Sequence, residues 1–366
     1  MGLKILNPFK AFRRRKPTKV ECNVEVTSEA VPECSVPEAV PECPVSSTDA
    51  PVKLCCDLYA DIFDAATKGP ALQMTEIFKF MLIGQEAVYP VVQVLRKSIS
   101  IEFYCQKIKL TLRKNAALWL DYGMFTSLIQ LIIPYVTKIR LVECRCEKYY
   151  DMVFQTLSKN HRQKKLTIVD LWKITDSVID VLQQLEKKNI PVILKYPTMD
   201  FLMVSPVIKI DTLKILFLEN WLHLLVEKQF SCSFSKLIVS KMTELTIMSL
   251  SNEAVFDYIE ELTIGIDFPV RPIFDKLNQC FPNVKKLTIH IRDKILLKFG
   301  TVEEQLDRIK NEMEEAPQKE IIINFNSARE TTSKTHLLTL GFATINDTTL
   351  QWISEKNQSK MIIAPW

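Results

Sequence analysis

Glycine is scarce, with seven in 366 residues. Loops that cradle phosphate and tight hairpin turns lean on glycine, so nucleotide-binding loops are not expected. No uncharged apolar run reaches about 18 residues, so no membrane-crossing helix is expected. Met1 to Lys10 hold no uninterrupted apolar stretch that would serve a secretory signal. No Cys-x-x-Cys occurs among the ten cysteines; Cys55-Cys56 and Cys144-Arg145-Cys146 are the closest pairs. Without matching His or Cys spacing, no metal site and no cofactor are expected. Free thiols in a cytoplasmic or nuclear location fit this usage better than disulfides. Net charge is only +4, which argues against a dedicated nucleic-acid binder.

Catalytic patterns are missing as well. There is no His-Glu-x-x-His, no Gly-x-Ser-x-Gly and no kinase signature. His161, His223, His290 and His336 stand in unrelated stretches. The acidic run Glu303, Glu304, Glu312, Glu314 and Glu315 reads as the exposed face of one helix, with Asp307 and Lys310 as a surface pair. Acid–base catalysis needs two groups converging in a cleft, and no such pair is nominated. The chain is therefore not expected to be an enzyme.

What is present is a recurring short strand. Lys164-Lys165-Leu166-Thr167-Ile168 returns as Lys285-Lys286-Leu287-Thr288-Ile289. Glu244-Leu245-Thr246-Ile247 returns as Glu261-Leu262-Thr263-Ile264. Leu110, Ile139, Leu166, Ile193, Leu216, Leu237, Leu262 and Leu287 open such pieces at steps of 21 to 29 residues. One strand per 20–30 residues predicts an α/β, leucine-rich-repeat-like solenoid of parallel strands with one helix per repeat, over residues 103–366. The spacing Leu-x-x-Leu-x-Leu fits Val136, Ile139 and Leu141; Leu213, Leu216 and Leu218; Phe234, Leu237 and Val239; Ile259, Leu262 and Ile264; and Val284, Leu287 and Ile289. The register is open near Ile193 and beyond Leu287, and either Leu245 or Leu237 marks its repeat.

Between strands, Thr175-Asp176-Ser177 opens a helix that buries Val178, Val181, Leu182 and Leu185 and stops near Asn189, before Pro191. Thr301 with Glu304 makes a capping box ahead of the stripe Val302, Leu306, Ile309 and Met313. Leu250-Ser251-Asn252 and Ile345-Asn346-Asp347 read as two further helix starts. Alternate strand residues point outward on the concave face: Arg140, Thr167, Lys195, Phe217, Ile238, Thr246, Thr263 and Thr288. Of these, Arg140, Thr167, Phe217, Ile238, Thr263 and Thr288 are the candidate partner-binding residues, because clustered apolar exposure marks partner sites. Trp172 and Trp221 follow strands and read as rim positions.

Residues 1–52 read as a disordered tail, basic and then Pro/Glu-rich, with Glu29-Ala30-Val31-Pro32-Glu33-Cys34 duplicated at Glu38 to Cys43. Phe9-Lys10-Ala11-Phe12-Arg13-Arg14-Arg15-Lys16 reads as a solvated tail, a nuclear-import patch, a weak anchor on anionic lipid or part of a mitochondrial presequence. Residues 53–102 read as a small helical unit, with Leu58, Ile62, Phe63 and Ala66, then Ile77, Phe78, Met81 and Leu82, then Val91, Val94 and Leu95 at helical spacing.

Leu54-Cys55-Cys56-Asp57-Leu58-Tyr59-Ala60-Asp61-Ile62-Phe63 resembles the opening of an F-box, with Cys55 where that family has proline. Met74 to Leu82 looks like its middle helix and Val91 to Leu95 stands where it ends, without the closing tryptophan. An F-box followed by irregular leucine-rich repeats is the layout of the F-box families expanded in nematodes. This resemblance implies that Leu54, Leu58, Ile62, Phe63, Ile77, Phe78 and Met81 dock a Skp-type adaptor. It implies a substrate receptor of a cullin-type ubiquitin ligase, presenting a target protein on the repeat surface and monomeric outside that complex. The other reading is a plain interaction scaffold whose N-terminal helices cap the solenoid. Outward-facing Leu58, Ile62 and Phe78 would favour the adaptor site, and inward-facing ones the cap.

Overall fold

A short segment with one apolar face must bury that face against another element, and strands that alternate apolar and polar residues do so by pairing side by side. The structure is a computed structural model. It describes Leu58, Asp61, Ile62, Ala65, residues 71–72, 77, 79–80 and 85–365, except 97, 113–116, 142–146, 160–161, 172, 199–207, 227–231, 251–254, 268–272, 292–300 and 326–332. Leu54–Trp366 form one compact unit.

In chain order the elements are β1 (Ala71–Leu72), α1 (Gln85–Arg96), β2 (Ser100–Phe103), β3 (Lys107–Thr111), β4 (Ala117–Asp121), α2 (Tyr122–Ile132), β5 (Lys138–Leu141), α3 (Glu147–Lys159), β6 (Leu166–Val169), α4 (Asp176–Lys187), β7 (Val192–Lys195), β8 (Ile208–Lys209), β9 (Thr212–Phe217), α5 (Leu222–Val226), β10 (Cys232–Ser233), β11 (Lys236–Met242), α6 (Glu244–Ser249), β12 (Glu261–Ile266), α7 (Ile273–Cys280), β13 (Lys286–Ile291), α8 (Val302–Glu315), β14 (Glu320–Phe325), α9 (Lys334–Thr339), β15 (Ala343–Asn346), β16 (Thr349–Ile353) and β17 (Lys360–Pro365). The large sheet therefore already takes in Ala71–Leu72 and Ser100–Phe103, within the stretch read as a helical unit.

Fifteen strands make one sheet in the order β1-β4-β3-β2-β5-β6-β7-β9-β11-β12-β13-β14-β17-β16-β15, and β8 pairs with β10 separately. From β2 through β17 each strand in that order runs parallel to the next. Antiparallel strands flank this run on both sides: β3 and β4 beyond β2, with β1 parallel to β4 at the edge, and β16 and β15 beyond β17. The chain is thus α/β, with one large, mostly parallel sheet laid down almost in sequence order.

Two buried rows run across the strands. Ile139, Ile168, Leu194, Leu213, Leu237, Leu262, Leu287 and Ile321 stand side by side. Ile215, Val239, Ile264, Ile289, Ile323 and Ile362 form the next row. All of these are buried, in one core shared with Phe154, Leu182, Leu185, Leu277 and Met313 of the helices. Burying each such aliphatic side chain is worth about 1.5–3 kcal/mol, so each strand–helix unit is stabilised mainly by its neighbours.

Several helix ends follow from local chemistry. Helix α4 buries Val178, Val181, Leu182 and Leu185, as its spacing predicts. It ends with Asn189 at φ 54°, Asn189 N donating to Glu186 O at 2.8 Å and Ile190 N to Leu185 O at 2.9 Å. That is a Schellman stop, with asparagine in the left-handed position. Thr301 and Glu304 form the expected reciprocal cap of α8. At the other end of α8, buried Lys360 of β17 donates its ammonium to Ala316 O at 2.6 Å and Glu314 O at 3.2 Å. A cation suits the negative end of a helix.

The structure corrects several expectations. Glu244-Leu245-Thr246-Ile247 is helix, not strand: Thr243 caps it by accepting from Thr246 N, and Leu245 is 79% exposed. Leu237 thus marks that repeat, and Thr246 is buried rather than outward. In β9 the core residues are Leu213 and Ile215, with Ile210 one turn of the pattern earlier, while Leu216 is 49% exposed. An unbroken Ile-Leu-Phe run lets either phase read as apolar. The same ambiguity hides β7, where Val192 and Leu194 are buried and Ile193 faces out with Lys195. Leu110 lies in an antiparallel strand, and Ile139 stands opposite Ile168 rather than Leu166. Ile345-Asn346-Asp347 opens a hairpin, because Asn346 Oδ1 accepts from Thr348 N at 2.9 Å in an Asx turn. Trp221 is 7% exposed and belongs to the core, not a rim; Trp172, His161 and the Leu250-Ser251-Asn252 start lie partly or wholly outside the described residues.

Candidate interaction surfaces

Two surfaces gather the residues nominated from the sequence. In the first, Leu58 and Ile62 lie in helical backbone and are each 43% exposed. Ile77, in contrast, is 1% exposed and packs in the core with Val91 and Leu95. Ile77 is therefore not available as a contact; it anchors this region. Leu54, Phe63, Phe78 and Met81 lie outside the described residues.

The second surface is the sheet face opposite the buried rows. Val169, Lys195, Lys214, Ile238, Thr263, Thr288, Ile322 and Met361 stand in one cross-strand row. Arg140 faces Val169 at the row's near end, and Thr167 lies beside Ile193 in the row before it. Arg140, Thr167, Ile238, Thr263 and Thr288 are half-buried there. Phe217 is not on this phase. Leu216 takes the outward position, and Phe217 sits partly buried with Lys241 Nζ 6.0 Å from its ring centroid. Gly265 marks a close approach on this face. A Cβ there would meet Ser240 O at 2.3 Å, beside the irregularity between Val239 and Met242.

Charge is arranged in order along the strands. At the strand starts Lys236, Glu261, Lys286 and Glu320 are successive cross-strand partners of alternating sign. Lys236 Nζ lies 3.2 Å from Glu261 and Lys286 Nζ 2.5 Å from Glu320. Such alternation fixes register more than it adds stability. Nearer the strand ends, Arg140 Nε donates to Asp170 Oδ2 at 3.0 Å, which raises the guanidinium pKa. Lys241 pairs with Asp267 at 3.2 Å. His290 sits on the same face. Burial first, then the Lys214 charge, lowers its pKa.

Among the described residues no group of three or more His, Cys, Asp or Glu could hold a metal ion. His336 pairs with Glu303 at 2.8 Å on the helix α8 surface. An open groove of about 780 Å³ is lined by Glu186, Lys187, Asn189, Lys209, Asp211 and Ser235. Its carboxylates are engaged: Glu186 accepts from Lys209 N at 3.3 Å and Asp211 lies 3.7 Å from Lys236 Nζ. No helix among the described residues is long and apolar enough to cross a membrane. Compared with known proteins, the chain matches no family model, no curated protein and no solved structure.

The positive-φ residues Asp170 and Tyr196 were not singled out from the sequence. Both follow a strand directly, and both donate their N–H to the next strand: Asp170 N to Lys195 O at 2.9 Å, Tyr196 N to Lys214 O at 2.8 Å. A non-glycine residue in the left-handed region leaves little sequence signal beyond the tolerance of Asp for it.

Proposed function

We propose that the sheet-and-helix stack is a leucine-rich-repeat-like solenoid and that the chain is a protein-interaction subunit. Its closest functional reading is a substrate receptor of a cullin-type ubiquitin ligase. The F-box-like residues would dock a Skp-type adaptor, and the open sheet face would hold a target protein. The chain itself does no bond chemistry in this reading. It raises the effective concentration of a target lysine near a charged conjugating enzyme. The observation that carries the adaptor site is the exposure of Leu58 and Ile62 on helical backbone, while Ile77 is buried in the core. Two large aliphatics on one helical face are hard to explain as solvent surface alone.

Burial of Ile77, Ala87, Val91 and Leu95 also favours the second reading, an interaction scaffold without ubiquitin chemistry whose N-terminal helices cap the first strands. Co-purification separates the two. The full chain should retain a Skp-type adaptor, and Leu58→Asp/Ile62→Asp should lose it while remaining folded by circular dichroism. Full retention by the folded double variant, or no retention by the wild type, leaves the scaffold reading in place.

A further inference from the structure

The solenoid neutralises the cations of its open face by a repeated device, and one place breaks it. Arg140 on β5 is paired by Asp170, the residue just past β6. Lys241 on β11 is paired by Asp267, the residue just past β12. Each time, a carboxylate leaving one strand reaches back to the cation on the strand before. Lys195 and Lys214 stand between these two pairs, directly opposite one another on β7 and β9. Like charges facing across a parallel pair repel.

The positions that should neutralise them do not. The residue just past β9, which would reach back to Lys195, is Leu218, and the one just past β11, which would reach back to Lys214, is Thr243; neither is charged. Past β7, Tyr196 shares the left-handed backbone of Asp170 (φ 54° against 57°). Its ring lies beneath Lys214 Nζ at 5.6 Å, and its hydroxyl bonds Ser240 Oγ at 3.2 Å. The acid past β9 is Glu219, and it accepts from Thr246 Oγ1 at 2.9 Å instead. Among the described residues no carboxylate lies within ion-pair distance of Lys195 or Lys214. Burial lowers the Lys195 pKa, and the charges of Lys214, Lys138 and Lys165 lower it further. The two ammonium groups are flanked on the same face by Ile193, Leu216 and Ile238.

We propose that Lys195 and Lys214 form the anchor of a docking site for an extended acidic peptide segment, whose carboxylates bridge the two ammonium groups and whose apolar side chains two residues away, on the same side of the chain, rest on Ile193, Leu216 and Ile238. Two lysines one strand apart match carboxylates on an extended chain. Arg140, whose planar fork would favour phosphate, is already held by Asp170. This site rests on the reading of the open face as a partner surface.

The test uses the full chain and fluorescein-labelled peptides repeating Glu-Thr-Glu-Thr-Val-Thr, so that acid and Val share one side of the extended chain, or the same peptides with Gln or phosphoserine in place of Glu, followed by anisotropy. The Glu peptide should bind, more weakly as salt rises, and the Gln peptide should not. Lys195→Gln/Lys214→Gln should weaken binding about tenfold, the order expected when partly desolvated charge pairs are removed. Arg140→Gln and Lys241→Gln, whose cations are already paired, should change it less than about twofold. That double variant should melt no lower than the wild type, since it removes a repulsion. Equal binding of the Gln peptide, tighter binding of the phosphoserine peptide or of single-stranded DNA, or unchanged binding by the double variant would overturn the proposal. Adaptor capture through Leu58 and Ile62 is measured separately, so failure there leaves this result readable on its own.

Discussion

Gly265→Ala should destabilise the fold, although replacing glycine in a strand normally helps. Alanine restricts the unfolded chain and would gain about 0.5–1 kcal/mol at an open site. At Gly265 the new Cβ would fall 2.3 Å from Ser240 O, a backbone atom that cannot rotate away. Relief needs a shift of about 1 Å, since ordinary carbon–oxygen contact begins near 3.2 Å. The neighbouring strand hydrogen bonds would stretch from about 2.9 Å toward 4 Å, beyond useful length, at roughly 1 kcal/mol each. Overpacking of this kind costs about 1–3 kcal/mol. The balance is a loss of about 1–3 kcal/mol, read as a fall in the urea midpoint at unchanged slope. Gly123→Ala is the control. Its nearest contact would be Asp121 Oδ1 at 3.4 Å, and in helix α2 it should be neutral or gain up to about 1 kcal/mol. A Gly265→Ala protein as stable as wild type would refute the close approach of β11 and β12.

Lys360→Met should cost about 2 kcal/mol, because two carbonyls at the end of helix α8 lose a charged donor; thermal melting measures it. Burial, Asp275 and Glu315 raise the Glu312 pKa, and Arg308 only partly opposes them. A raised carboxyl pKa means stability is full below about pH 4 and declines as pH rises through the folded value. Glu312→Gln should therefore gain on the order of 0.5 kcal/mol at pH 8, after solvent screening, and nothing near pH 4; a gain independent of pH would contradict this. Burial pushes the Cys232 thiol up to about 12. Iodoacetamide at pH 8 should therefore label exposed Cys105 in the native protein and spare Cys232 and buried Cys280 until unfolding, as peptide mass mapping would show.

Where the sequence carried two agreeing signals, it was read correctly. Helix α4 had a threonine start, a four-residue apolar stripe and a proline stop, and its buried residues follow, although the Thr175 hydroxyl bonds Ser177 Oγ rather than a backbone N–H. The strands at Leu237, Leu262 and Leu287 alternate cleanly, so their inward phase was legible. Misreadings fall where one signal stood alone. Glu-Leu-Thr-Ile is strand at residue 261 and helix at residue 244, and the difference lies outside the tetrapeptide. Residue 243 is a capping threonine, and Glu219 receives the buried Thr246 hydroxyl. At Leu216 and Ile193 consecutive aliphatics erased the period of two. Asn346 could cap a helix or close a turn, and only the pairing of β15 with β16 decides. The Lys195–Lys214 pair was invisible because a cross-strand register and a left-handed Tyr196 are long-range facts.

The sequential stacking of strands is tested most directly by distance. Spin labels carried on introduced unnatural residues, leaving native cysteines untouched, can be placed at Thr167 with Thr263 and at Thr167 with Ile322. Strands about 4.8 Å apart put these backbones on the order of 19 Å and 29 Å apart, four and six strands along the sheet. Pulsed electron spin resonance should therefore give a clearly longer distance for the second pair. Equal distances, or a shorter one for Ile322, would show that the strands do not follow one another along a single sheet.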